Sequence, residues 1–114
     1  MEIKTNDFKV WYDSETTTVF FSGSLRLRGT AEYAPINKLL NEVIAQKPSQ
    51  LTLDLHELKF LNSSGINMFS KFVISVRKKN TIEMELIGSS DISWQGKSLP
   101  NLQLLMPKLQ LVWI

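Results

Sequence analysis

The stretch from Leu51 to Gly65 constrains the fold more than any other part of the chain. Leu51, Leu53 and Leu55 alternate with Thr52 and Asp54, the period of a strand with one buried face. A short polar kink at His56-Glu57 follows, and Phe60-Leu61 extends the apolar run. Asn62-Ser63-Ser64-Gly65 then breaks the pattern. Directly beyond it, Ile66, Phe69, Phe72, Val73 and Val76 fall on one helical face. A buried strand that feeds straight into an amphipathic helix is the first half of a βαβ unit. The helix runs out at Arg77-Lys78-Lys79-Asn80, where cations are favoured by the negative end of the helix dipole.

The rest of the chain repeats this logic. Phe8, Val10 and Tyr12 alternate as one strand, Asp13-Ser14-Glu15 makes a polar turn, and Thr16 to Phe21 is β-branched and aromatic. Gly23 and an extended stretch from Ser24 to Arg28 follow. Gly29-Thr30 opens a helix whose inner face is Ile36, Leu39, Leu40, Val43 and Ile44, with Pro35 near its start and Pro48 just beyond its end. Thr81 to Ile87 predicts a further strand, with Ile82, Met84 and Leu86 inward. Gly88 to Lys97 reads as an irregular polar segment carrying Trp94. Ser98 is placed to cap a short third helix with Pro100 in its first turn and Leu102, Leu105 and Met106 on its buried side. Pro107 stops it, and Leu109, Leu111 and Trp113 alternate as a last strand. The order β-β-α-β-α-β-α-β predicts an α/β fold, a mixed sheet of about five strands with helices packed against it. Residues 1–114 read as one domain, without repeat, linker or low-complexity stretch.

Composition narrows the chemistry. There is no cysteine, which excludes disulfides, thiolate nucleophiles and cysteine-based zinc sites. One histidine, His56, rules out a multi-histidine metal centre. Thirteen Lys and Arg against eleven Asp and Glu leave +2, too little for a dedicated nucleic-acid binder. No apolar run approaches the roughly 20 residues of a membrane span, and no secretory leader precedes Val10, so the expectation is a cytoplasmic protein without direct membrane insertion. No bound cofactor or metal is expected.

The polar junction carries the functional reading. A helix start leaves unpaired N–H groups that Asn62, Ser63 or Ser64 can cap. The same N–H groups and the positive dipole end suit a phosphate, and a serine there could carry one. Spacing alone leaves both readings open.

Asp54-Leu55, Phe60 and Asn62-Ser63-Ser64-Gly65 resemble the motif of STAS domains, the sulphate-transporter and anti-sigma-factor-antagonist family. Members show a strand ending in Asp-Leu, a Phe or similar residue, and then Asp-Ser-Ser/Thr-Gly at the second helix. Gly23-Ser24-Leu25 is similar to the family's Gly-x-Leu-Asp stretch, and the element order agrees over nearly the whole chain. The resemblance implies a STAS-like regulatory interaction protein, of the anti-sigma factor antagonist type, acting by partner switching. In such proteins a serine kinase of the anti-sigma type binds the unphosphorylated form, supplies ATP and phosphorylates the first hydroxyl of the motif, and a phosphatase resets it. Carried over, the acceptor is Ser63, with Ser64 second, and the partner-binding residues are Arg26, Asn62, Ser63, Ser64, Gly65 and Ile66. No catalytic residue is implied. Asn62 stands where the family has an acid, and Arg26 stands where it has an aspartate. Either Arg26 pairs with a phosphate on Ser63, or a kinase that reads those acids no longer recognises the chain. The alternative within binding modules is an unphosphorylated adaptor docking on transporter machinery.

Other candidates are weaker. Asp54, His56 and Ser63 suggest a hydrolase triad on paper, but there is no Gly-x-Ser-x-Gly elbow, and no ester turnover is expected. Arg26, Arg28 and Lys59 form either a small basic patch or ordinary solvated surface. Trp94 either covers the core or anchors a partner. Gly88-Ser89-Ser90 lacks the lysine and glycines of a phosphate-binding loop.

Overall fold

Strands that follow one another in the chain lie side by side in space. The computed structural model describes residues 1–114. Its sheet has six strands in the order β1-β2-β3-β4-β5-β6. These are β1 (Glu2–Lys4), β2 (Phe8–Asp13), β3 (Thr18–Leu25), β4 (Gln50–Leu61), β5 (Glu83–Gly88) and β6 (Gln110–Trp113). The first three are antiparallel; β3 to β6 run parallel. Helices α1 (Gly29–Ala45), α2 (Ser63–Lys79) and α3 (Ser93–Leu105) make the three parallel crossovers. Right-handed crossovers that all step in one direction put all three helices on one face. Burial along the strands agrees. Val19 and Phe21 of β3 are buried while Phe20 between them is half-exposed; Met84 and Leu86 of β5 are buried while Glu83 is exposed.

The core lies between that sheet face and the helices. It holds the predicted face of α1 and, from the predicted face of α2, Phe69, Phe72, Val73 and Val76, together with Leu51, Leu53, Leu55, Met84 and Leu86. Tyr33 joins it from the first turns of α1. On the far face no helix covers the sheet, and Trp11 stacks on Phe20 at 4.4 Å between ring centres.

Three expectations are corrected. The sheet has six strands, not about five. β1 escapes notice because Glu2 and Lys4 flank a single apolar residue, Ile3, in a three-residue edge strand. The polar kink at His56-Glu57 is not a break: β4 runs through it with two bulges. Phe20 pairs with Asp54 but Ser22 with Glu57; Gly23 pairs with Leu58 but Ser24 with Phe60. Each bulge adds one residue to β4, which lets Leu55, Leu58 and Leu61 all face the core. Finally, Ser98 does not cap α3. The helix opens at Ser93, inside the segment read as irregular, so Ser98 and Pro100 lie within it. Its first turn carries Gln95, a polar residue that is fully buried.

Gly23 is demanded by the β2–β3 pairing. Its φ is +89°, and a side chain there would run into the carbonyl of Asp7, which accepts the N–H of Ser24 at 2.9 Å.

Candidate functional site

The end of β3, the start of α1, the end of β4 and the start of α2 meet at one rim of the sheet. Asn62 ties them together. Its backbone N–H donates to the Leu25 carbonyl at 3.2 Å, extending the β3–β4 ladder by one step. Its side-chain Oδ1 accepts from the Gly65 N–H at 3.0 Å, capping α2, and from the Tyr33 hydroxyl at 2.7 Å. Its Nδ2 donates to the Leu27 carbonyl at 2.7 Å, in the loop before α1. Only an amide both accepts and donates in this way, so an aspartate would lose the Leu27 bond. The residue that departs from the family motif is therefore the one this local structure requires.

Tyr33 is buried, and burial pushes its phenol pKa above the ordinary tyrosine value, with a backbone hydrogen bond pulling more weakly the other way. Gly65 is needed for space. A methyl group on it would lie 2.2 Å from Leu61 Cδ1 and 2.7 Å from the Tyr33 oxygen.

The two serines have different surroundings. Ser64 is half-buried, and its Oγ accepts the Gly29 N–H at 3.3 Å. It thus supplies to α1 a cap from another helix, since Arg28, the α1 N-cap residue, provides no side-chain cap. Ser63 is exposed at the first position of α2, and its hydroxyl makes no hydrogen bond within the protein. Beside the serines, a cavity of about 260 Å³ lies between α1 and α2, lined by Thr30, Asn37, Ser64, Asn67 and Lys71 among others.

On the other side of the junction, the exposed Arg26 guanidinium stacks 4.5 Å from the centre of the exposed Phe60 ring. Arg28 and Lys59 are exposed as well, and the Arg28 N–H is held by the Glu32 carboxylate at 2.8 Å. Ile66 is half-buried and packs against the core.

The predicted partner-binding residues thus lie around one rim, whereas Asp54 and His56 of the imagined triad lie away from it. His56 Nδ1 does meet Asp54 Oδ1, at 2.5 Å, but its Nε2 faces Glu57 at 3.3 Å. Ser63 lies seven positions beyond His56, mostly along extended strand, about 20 Å away. Serine and histidine are not brought together. Trp94 covers the core rather than presenting a free ring: it is half-buried, and its Nε1 donates to the Leu58 carbonyl at 3.1 Å. No group of three acidic, histidine or cysteine side chains is arranged to hold a metal ion, and no helix is long and apolar enough to cross a membrane.

Sequence reasoning missed Tyr33, Asn37, Asn67 and Lys71. Tyr33 was findable, lying three residues before Ile36 on the same helical stripe. The other three carry no pattern, because an exposed polar helix position is silent until a neighbouring helix is placed beside it.

The sheet order, the three one-sided crossovers and the capped serine junction define a STAS-like fold. Solved structures share it. One is the crystal structure of the diguanylate cyclase SiaD in complex with its activator SiaC from Pseudomonas aeruginosa, matched with a TM-score of 0.75 at 12% identity over 99% of this chain and 97% of that one. A second is an anti-sigma factor antagonist from Mycobacterium paratuberculosis, with a TM-score of 0.67 at 19% identity over 95% of this chain and 90% of that one. A third is SiaC of Pseudomonas aeruginosa alone, with a TM-score of 0.64 at 11% identity over 99% and 93%. No family model matches the sequence, and no curated protein matches it significantly.

Proposed function

We propose that this chain is a STAS-like regulatory protein of the anti-sigma factor antagonist type, which works by binding another protein and is switched by phosphorylation of Ser63. The observation that carries the reading is the contrast between the serines. Ser63 is exposed with an unengaged hydroxyl, while the Ser64 oxygen caps α1. A partner kinase transfers the γ-phosphoryl group of ATP to Ser63 Oγ; the hydroxyl proton passes to a base on the kinase, and ADP leaves. A phosphatase reverses the modification by hydrolysis. The rim formed by Arg26, Asn62 to Ile66 and the α1–α2 cavity is the docking face. A dianion placed there disfavours a complex that would desolvate it. The chain itself acts as no enzyme in this scheme and stays in the cytoplasm. Fold neighbours described as an activator in complex with a cyclase and as an anti-sigma factor antagonist support a protein partner.

The test has two arms. Intact mass analysis of protein from its native cell should show a species about 80 Da heavier, mapping to Ser63. Pull-downs should retain a partner with Ser63→Ala and lose it with Ser63→Asp. Equal binding by wild type and both variants removes the switch. A second reading, an unphosphorylated adaptor docking on transporter machinery, is favoured by Asn62 standing in place of an acid. It predicts partner binding by all three proteins and no heavier species.

A further inference from the structure

Arg26, whose guanidinium stacks on Phe60, has its backbone one step from that of the proposed acceptor. Leu25 and Asn62 are joined by a backbone hydrogen bond, so Arg26 and Ser63 each lie one residue beyond a bonded pair, about 3.8 Å further along their chains. Both are exposed at the same rim. The Arg26 guanidinium does not point to any carboxylate; it lies over the Phe60 ring. The acid nearest in sequence to Ser63 in the family motif is replaced by Asn62, whose side chain is neutral and fixed by three hydrogen bonds. No charge on residue 62 therefore competes for the guanidinium or repels a phosphate.

We infer that Arg26 is the internal reader of the modification: on phosphorylation of Ser63 its guanidinium leaves Phe60 for the phosphate and uncovers the aromatic ring. The inference rests on the Ser63 reading and goes beyond it by naming what changes on the docking face. An exposed cation–π contact is the weaker of the two interactions, because the ring offers only a quadrupole to a solvated cation. A phosphate offers a dianion and several acceptors that match the guanidinium fork. The two contacts compete for the same guanidinium, which lies 4.5 Å from the ring centre before modification. Phosphorylation thus alters two features of the surface at once. It adds charge at Ser63, partly neutralised by Arg26, and it frees the face of Phe60, which is 38% exposed even with the arginine over it. Arg28, Lys59, Glu32 and, in the cavity beside the serines, Lys71 are the other charged groups near this rim; the Glu32 carboxylate is engaged by the Arg28 backbone.

The test uses the full chain with phosphoserine installed at position 63 during synthesis, so that no kinase is needed. In the unphosphorylated protein the Arg26 side-chain protons should resonate upfield, shielded by the Phe60 ring, and Phe60→Leu should abolish that shift. In the phosphoprotein the shielding should be lost. The phosphorus resonance should titrate about half a pH unit lower in the wild type than in Arg26→Gln. Arg26→Lys should fall between them, because lysine keeps the charge without the fork. Retained ring shielding in the phosphoprotein overturns the inference. So does an identical phosphate titration in wild type and Arg26→Gln, or a shift produced by Arg28→Gln instead. Absence of phosphate on Ser63 in cells would count against the proposed function and leave these outcomes unchanged, so the two failures are distinguishable.

Discussion

Both polar atoms of the Asn62 side chain are engaged, and through them one residue fixes the start of α2, the loop before α1 and the Tyr33 hydroxyl. The Tyr33 link has a pH signature. In the unfolded chain its phenol ionises near pH 10; in the folded protein burial delays ionisation to higher pH. A group whose folded pKa is raised contributes fully below its unfolded value, and the contribution is lost as pH rises through the folded one. Thermal melts from pH 8 to 11 should therefore show wild type losing stability above about pH 10 more steeply than Tyr33→Phe. Parallel curves would mean that the phenol is not linked to folding. At neutral pH the same variant leaves Asn62 Oδ1 with one partner fewer, at a cost of about 1 kcal/mol. The polar junction was legible in the sequence because Asn, Ser and Gly at a helix start have specific backbone duties. Tyr33 was not, because an aromatic on a helical stripe looks like core whether or not its hydroxyl finds a partner.

At the scale of elements, β4 and α3 depend on each other. The pairing of β4 with β5 ends at Asp54, and beyond it the buried Gln95 of α3 takes up the Leu55 and Leu58 carbonyls. Its Nε2 donates to Leu55 at 2.6 Å and Leu58 at 3.1 Å, while its Oε1 accepts the Ser89 N–H at 2.7 Å. Trp94 adds a second donor to Leu58. Gln95→Leu should be strongly destabilising although it puts an apolar residue into the core, because it orphans buried backbone groups at roughly 1–3 kcal/mol each. Urea unfolding would measure it, and a neutral result would show that water takes the place of the amide. This pairing also explains why the start of α3 was unreadable. Gly88 to Lys97 is polar by composition, and nothing local tells a buried glutamine from a solvated one. The bulges were equally hidden. Leu55, Leu58 and Leu61 keep neither the period of a strand nor that of a helix, since the extra residues are accommodated by the register against β3. The long, strongly periodic face of α1 was recovered intact and that of α2 nearly so, with Ile66 half-buried and Met68 added, because their packing follows from periodicity.

For the whole molecule, protection should follow depth in the sheet. β4 lies between β3 and β5 under α1 and α2, whereas β1 is a three-residue edge strand with charged ends. Native-state hydrogen exchange should find the slowest amides in Leu51 to Leu55, opening only with global unfolding, and the fastest strand amides in β1. Slow exchange in β1 would point to a partner covering that edge. The α/β class and element order were readable because alternating two-residue and helical periods survive in the sequence. The one-sided placement of the helices needs the sheet order as well, which no single element encodes.

Because the sheet order is the chain order, each strand emerging from a ribosome finds its neighbour already made. Arg26, Tyr33, Phe60 and the serine junction all belong to β3, α1, β4 and α2 or to the turns between them. Once α2 has cleared the exit tunnel, every residue of the rim has emerged, while β5, α3 and β6 are still enclosed and cannot yet join the sheet. A nascent chain paused at that point would carry the complete rim over an unfinished sheet, with Leu55 and Leu58 still waiting for Gln95. The later elements β5, α3 and β6 would then add stability to a surface whose shape is already decided.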